Sequence, residues 1–243
     1  SCIPAAITVA LVGMIVHNRT QNRTSALIAS ATLLSASVFL TQATIIEEYA
    51  LAVMWVVAAF WAWDKPKRNT GLTMLFLGLG ISVHIIVAAI AFLWALVEWK
   101  GRREWLRYVP IAIAPVLLYG ITLWTMWNPD TFKWIGGNLS WQSLSNYIGS
   151  TSTIGSMALV DTPKRLLSAI YILIPLFGIC WIPIISAART YKDRSIKVGI
   201  VIILFSLWLY ITNQDYTTWT FLCYGIPFCA VLAGLGAARM PTD

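Results

Sequence analysis

Apolar residues in this chain come in long blocks, not in alternation with polar ones. The blocks run at roughly 3–16, 25–46, 49–63, 71–98, 108–127, 166–187, 198–212 and 217–238, each bounded by charge, Pro, Asn or Gly clusters. A helix needs about 20 apolar residues to cross a hydrocarbon core, and several blocks reach that length. The pattern predicts an all-α fold: a polytopic transmembrane helical bundle of about eight segments. It has no tandem repeat and no internal boundary, so residues 1–243 read as one transmembrane domain.

Segment 71–98 is too long for one upright span and too short for two. Asp64-Lys65-Pro66-Lys67-Arg68 precedes it and Lys100-Gly101-Arg102-Arg103 follows it. Both loops are basic, and basic loops stay on the cytoplasmic side. One crossing would separate them, whereas a broken helix pair returns them to the same side. A break near Gly78, Gly80 and His84 is therefore expected, of the kind tolerated where protein or a water-filled cavity surrounds the loose backbone. With that break, every Lys and Arg except Lys133, Lys164 and Arg165 falls on one side. Glu47, Glu48, His84, the 128–163 loop and Asp215 then share the other.

Composition sharpens this picture. The chain is 58% hydrophobic and 11% charged, against about 25% charged in soluble domains. The formal charge of +7 sits in short runs between apolar blocks, and no aromatic-plus-basic groove pattern for nucleic acid is present. Cys2, Cys180, Cys223 and Cys229 lie in apolar segments without a C-x-x-C pair, as buried free thiols would. Most of the 13 Trp, including Trp61, Trp63, Trp99, Trp105, Trp124 and Trp127 near segment ends, suit interfacial anchoring. The opening Ser1-Cys2-Ile3-Pro4 lacks a charged leader and is expected to be an internal start within a longer protein.

Few residues offer chemistry. Glu47 and Glu48 stand between apolar runs with no basic neighbour. Ionisable groups at membrane depth are costly and usually functional; these two are a general base, a hydroxyl acceptor or a metal ligand, or else they mark a span end in interfacial water. His84 is a hydrogen-bonded structural residue or a partner for a phosphate oxygen. Asp215, in Asn213-Gln214-Asp215-Tyr216, belongs to a short polar loop or faces the same cavity as Glu47. The 128–163 loop carries Trp134, Trp141 and Tyr147 and reads as a packed external loop with an interfacial helix, or as an amphipathic segment on the membrane surface. Phosphate-loop, G-x-S-x-G and H-E-x-x-H signatures are absent.

The order of these features resembles the membrane glycosyltransferases of GT-C fold related to protein O-mannosyltransferases. Glu47-Glu48-Tyr49-Ala50-Leu51 matches that family's acid-x-Tyr-x-Leu element, and Gly78-Leu79 through His84 its Gly-Leu-x-x-x-x-His element. Pro115-Val116-Leu117-Leu118-Tyr119, the Trp-containing stretch 134–147 and the run from Asp215 to Gly236 follow in the family's order. The resemblance covers roughly 25–238. The family's first external loop, with its acidic catalytic residue and His-Pro-Pro-Gly-type stretch, has no counterpart here, which implies a catalytic base upstream of Ser1.

What the resemblance implies is transfer of a mannose-like sugar from a polyprenyl-phosphate donor to a hydroxyl of an acceptor protein or glycan. The reaction would take place on the non-cytoplasmic face of a bacterial inner membrane or the ER membrane. Glu47 and His84 would be catalytic; Glu48, Tyr49, Trp141 and Asp215 would bind substrate; whether a divalent metal takes part stays open. The partners implied are membrane lipid, the lipid-linked sugar donor and the acceptor, with no nucleic acid. Two other readings compete: a transporter or lipid flippase, which also uses broken helices and intramembrane acids, and a non-catalytic membrane subunit that docks through the Trp-rich loop.

Overall fold

The computed structural model describes residues 2–44, 48–65, 68–98, 102–125, 167, 180–190, 194–212 and 218–239. Among them are ten α-helices, one 3₁₀ helix and no strand. The helices are α1 (Cys2–Thr20), α2 (Arg23–Ser35), α3 (Ser37–Thr44), α4 (Tyr49–Trp63), α5 (Thr70–Val83), α6 (Ile86–Val97), α7 (Arg102–Thr125), α8 (Trp181–Thr190), α9 (Arg194–Thr212) and α10 (Ile226–Ala237), with the 3₁₀ helix at Thr218–Tyr224. Three of them, α1, α7 and α9, are long and apolar enough to cross a membrane, and the bent pair α2–α3 makes a fourth. The apolar helices α4, α5, α6 and α10 are shorter. The interfacial helix expected within 128–163 lies outside the described residues.

Local sequence sets where the helices start. Asn22 accepts hydrogen bonds from the backbone N–H groups of Thr24 and Ser25 and caps α2. Asn69 accepts from Leu72 N–H and caps α5. Pro227 stands in the first turn of α10, where its missing N–H costs nothing. Helix α7 runs unbroken through Pro110 and Pro115 and starts six residues before the apolar block expected at 108–127, with Glu104 in its first turn where the helix dipole favours an acid.

The block 25–46 is not one straight span. Helices α2 and α3 meet at 68°. Ala36 is extended between them (φ −74°, ψ 106°), and the Ser35 hydroxyl donates to Thr32 O at 2.9 Å. Small polar side chains that bond local backbone compete with the helix ladder, and Ser35 supplies one directly before the bend.

The expected break in 71–98 is present, and its position is His84. This residue is extended (φ −150°, ψ 125°); its N–H closes α5 on Gly80 O and its carbonyl accepts from Val87 N–H at the start of α6. The two helices fold back on each other. Arg68, before α5, reaches Glu98, after α6, at 3.5 Å, so the two ends of the hairpin adjoin. Gly78 and Gly80 stay helical and permit close approach instead of breaking the chain. A Cβ on Gly78 would sit 2.2 Å from Ala112 O of α7, and one on Gly80 would sit 2.9 Å from Val87 Cγ1 of α6.

Helix α10 is the hub, packed against α1, α2, α8 and α9, with every residue from Ile226 to Gly236 buried. A helix that is apolar on all sides is a core helix. Lipid is as apolar as a leucine side chain, so close packing of small residues, not hydrophobic transfer, holds such a bundle together. Ala230, Ala233, Gly234 and Gly236 provide it, and a Cβ on Gly236 would lie 2.0 Å from Pro183 O. None of the four cysteines is in a disulfide; Cys223 and Cys229 are buried as expected, whereas Cys180 is half-buried and Cys2, in the first turn of α1, is exposed.

The two ends of the bundle differ. One end carries the basic residues. There Arg19, at the end of α1, makes a two-pronged bond to Asp64, at the end of α4. Glu98 lies between Arg68 and Arg194, and Thr70 donates to Glu104. The rings of Trp63, Trp94 and Trp105 pack against one another with centroids 5.5–6.2 Å apart. These contacts join chain ends that the charge pattern assigns to one side. The other end holds the start of α4, the tip of the α5–α6 hairpin and the 3₁₀ helix.

Candidate functional site

Three elements distant in sequence meet at the end opposite the basic one. Tyr49 opens α4, His84 forms the hairpin tip, and Phe221 and Tyr224 belong to the 3₁₀ helix. The Tyr49 and His84 rings lie 4.8 Å apart and are tilted by 44°. Tyr49 meets Phe221 and Tyr224 edge-on, at 6.3 and 6.5 Å, and His84 lies 6.1 Å from Tyr224. Such edge contacts set the ring's electropositive rim against a neighbouring electronegative face.

Each position has a local cause. His84 is free of helical constraint because it is the break, and its Nδ1 accepts a long hydrogen bond (3.4 Å) from Ile86 N–H at the start of α6. With Nδ1 as acceptor, the neutral ring carries its proton on Nε2, which is then a donor. Glu48 precedes α4 but makes no capping bond through its side chain, which is exposed. Tyr224 is 1% exposed, and its hydroxyl is buried without a hydrogen-bond partner. Gly225 lets this turn approach α9; a Cβ there would lie 3.2 Å from Ile203 Cα.

Of the residues expected from sequence, the structure brings together Glu48, Tyr49 and His84. Glu47, Trp141 and Asp215 lie outside the described residues. Sequence reasoning missed Phe221 and Tyr224, because they sit inside an apolar block that reads as span. The available signal was Tyr224-Gly225-Ile226-Pro227, an aromatic directly before a Gly and a helix-starting Pro.

Chemically, the cluster offers an imidazole donor, an exposed carboxylate, a buried unpartnered hydroxyl and several aromatic faces. The polar groups can hydrogen-bond a polar ligand and the rings can pack against its apolar faces. Among the described residues no three His, Cys, Asp or Glu side chains come together to hold a metal. Comparison with known proteins finds no matching family model, no matching curated protein and no matching solved structure.

Proposed function

We propose that this chain is a multi-pass membrane protein of the GT-C glycosyltransferase kind, transferring a mannose-like sugar from a polyprenyl-phosphate donor to a hydroxyl acceptor on the non-cytoplasmic side. The observation that carries the reading is the 4.8 Å contact between Tyr49 and His84. It joins the acid-x-Tyr element to the Gly-Leu-x-x-x-x-His element at the end away from the basic residues.

In transfer, the bond from the anomeric carbon to the donor phosphate breaks and a bond to the acceptor oxygen forms. The acceptor proton passes to a carboxylate, the role held for Glu47. The departing phosphate gains negative charge, and His84 Nε2 is the donor placed to meet it. The Glu48 carboxylate accepts from sugar or acceptor hydroxyls, and the Tyr49 ring packs against a C–H face of the sugar, with the buried Tyr224 behind it.

The test is transfer of radiolabelled mannose from polyprenyl-phosphate mannose by membranes holding the full-length protein. His84→Ala and Glu48→Gln are each expected to lower turnover by about 10²-fold or more at equal protein level. Unchanged turnover in both would overturn the reading. The interrupted pairs α2–α3 and α5–α6 favour a second reading, a transporter or flippase with its site at a helix break. Coupled substrate flux in proteoliposomes, without transfer, would select it.

A further inference from the structure

At the basic end, a groove of about 430 Å³ runs between α1 and α2. His17, Asn18 and Arg23 line its mouth, and Gly13, Ala26 and Ser30 line its floor. Gly13 is about one turn deeper along α1 than His17. The helices touch at the floor, where a Cβ on Gly13 would lie 2.7 Å from Ser30 Oγ. Met14 and Leu27 flank the groove and are exposed.

Polarity along the groove is graded. His17 Nδ1 is buried and has no hydrogen-bond partner. Arg23 adds a fixed positive charge and Asn18 an amide, while among the described residues no acid lines the groove. The neighbouring acid Asp64 is already bound to Arg19. A buried polar atom without a partner is costly, and a mouth with a guanidinium charge beside the apolar flanks Met14 and Leu27 is complementary to an anion that carries a hydrocarbon tail.

We infer that this groove holds an anionic phospholipid, with its phosphate between His17 and Arg23 and the start of an acyl chain against Met14 and Leu27. Phosphate accepts charge-assisted hydrogen bonds from the Arg23 guanidinium and a further hydrogen bond from the His17 ring N–H. The groove lies at the end where the positive-inside pattern places the cytoplasmic leaflet, the leaflet whose anionic lipids attract basic segments. The site is separate from the Tyr49–His84 cluster, at the other end of the bundle, and does not depend on sugar transfer.

The experiment is native mass spectrometry of the purified protein in neutral detergent, with phosphatidylglycerol and phosphatidylcholine of identical chains. The wild type should retain phosphatidylglycerol about ten-fold better. His17→Gln and Arg23→Gln, which preserve bulk, should each remove most of that preference, and Arg107→Gln on α7 at the same end should leave it unchanged. No preference in the wild type overturns the inference, as does an equal loss in Arg107→Gln, which would mean diffuse surface charge. Displacement of the lipid by millimolar inorganic phosphate would assign the groove to a soluble anion and overturn it as well.

Discussion

The basic end and the aromatic end of the bundle are built on different terms. At the basic end, charged side chains from different helices are spent on one another: Arg19 on Asp64, and Arg68 and Arg194 on Glu98. At the aromatic end, Glu48 is exposed and does not cap its helix, and the Tyr224 hydroxyl is buried with no partner. Groups already bonded to the fold explain stability. An exposed group that the fold does not bond, such as Glu48, is available to a ligand, whereas a buried one, such as the Tyr224 hydroxyl, becomes available only when its surroundings open. The contrast sets charge pairs that tie helices together, beside the open His17–Arg23 groove, against an aromatic cluster with an exposed carboxylate, and it can be broken by substitutions at either end.

The largest effect is expected at Glu98. Its side chain is 1% exposed, while those of Arg68 and Arg194 are 39% and 46% exposed. The partners are therefore unequal. Replacing both arginines by Ala strands a buried carboxylate and should cost about 3–5 kcal/mol. Glu98→Gln leaves two arginines that water can reach and should cost only about 1 kcal/mol. Unfolding in mixed micelles, followed by circular dichroism, reads both. Equal losses would show that Glu98 is not the buried partner the structure describes.

The hairpin explains which parts of this were legible in sequence. The return of the chain at His84 could be read because basic loops on both flanks of 71–98 demanded it, and Arg68 and Glu98 now meet as that argument requires. The glycines beside it were misplaced as part of the break. Gly78 and Gly80 lower helix propensity wherever they stand, and only the approach of Ala112 and Val87 reveals that they serve packing. The bend at Ala36 was hidden because Ser and Thr are ordinary residues within apolar spans, so nothing distinguishes Ser35 from its neighbours until its local hydrogen bond is seen. The Glu48–Tyr49–His84 meeting was legible as a shared side of the membrane, whereas Tyr224 was not, since its hydroxyl is one polar atom in an apolar run.

An intermediate effect is expected at the α5–α7 contact that supports the hairpin. Gly78→Ala places a methyl group 2.2 Å from the Ala112 carbonyl oxygen, so backbone has to move. Overpacking of this kind costs about 1–3 kcal/mol. Gly120, on the same helix as Ala112, has no atom within 4 Å of its would-be Cβ, and Gly120→Ala should be neutral or slightly stabilising by helix propensity. If the two variants unfold alike, α5 and α7 do not pack at Gly78, and the hairpin loses its support.

The smallest effect tests the contrast by its sign. Thr70 at the basic end bonds Glu104, so Thr70→Val removes a made hydrogen bond and should cost about 1 kcal/mol. Tyr224→Phe at the aromatic end removes a hydroxyl that has no partner. Deleting a buried polar group without a partner relieves a desolvation penalty, so this variant should be neutral or more stable by up to about 1 kcal/mol. A hydroxyl retained at a cost to the resting protein makes sense where a ligand supplies the missing bond. Tyr224→Phe should therefore weaken transfer, with its effect in the transfer assay opposite in sign to its effect on unfolding. A variant that loses stability and keeps full transfer would place Tyr224 among the structural residues and leave Glu48, Tyr49 and His84 to account for the site without it.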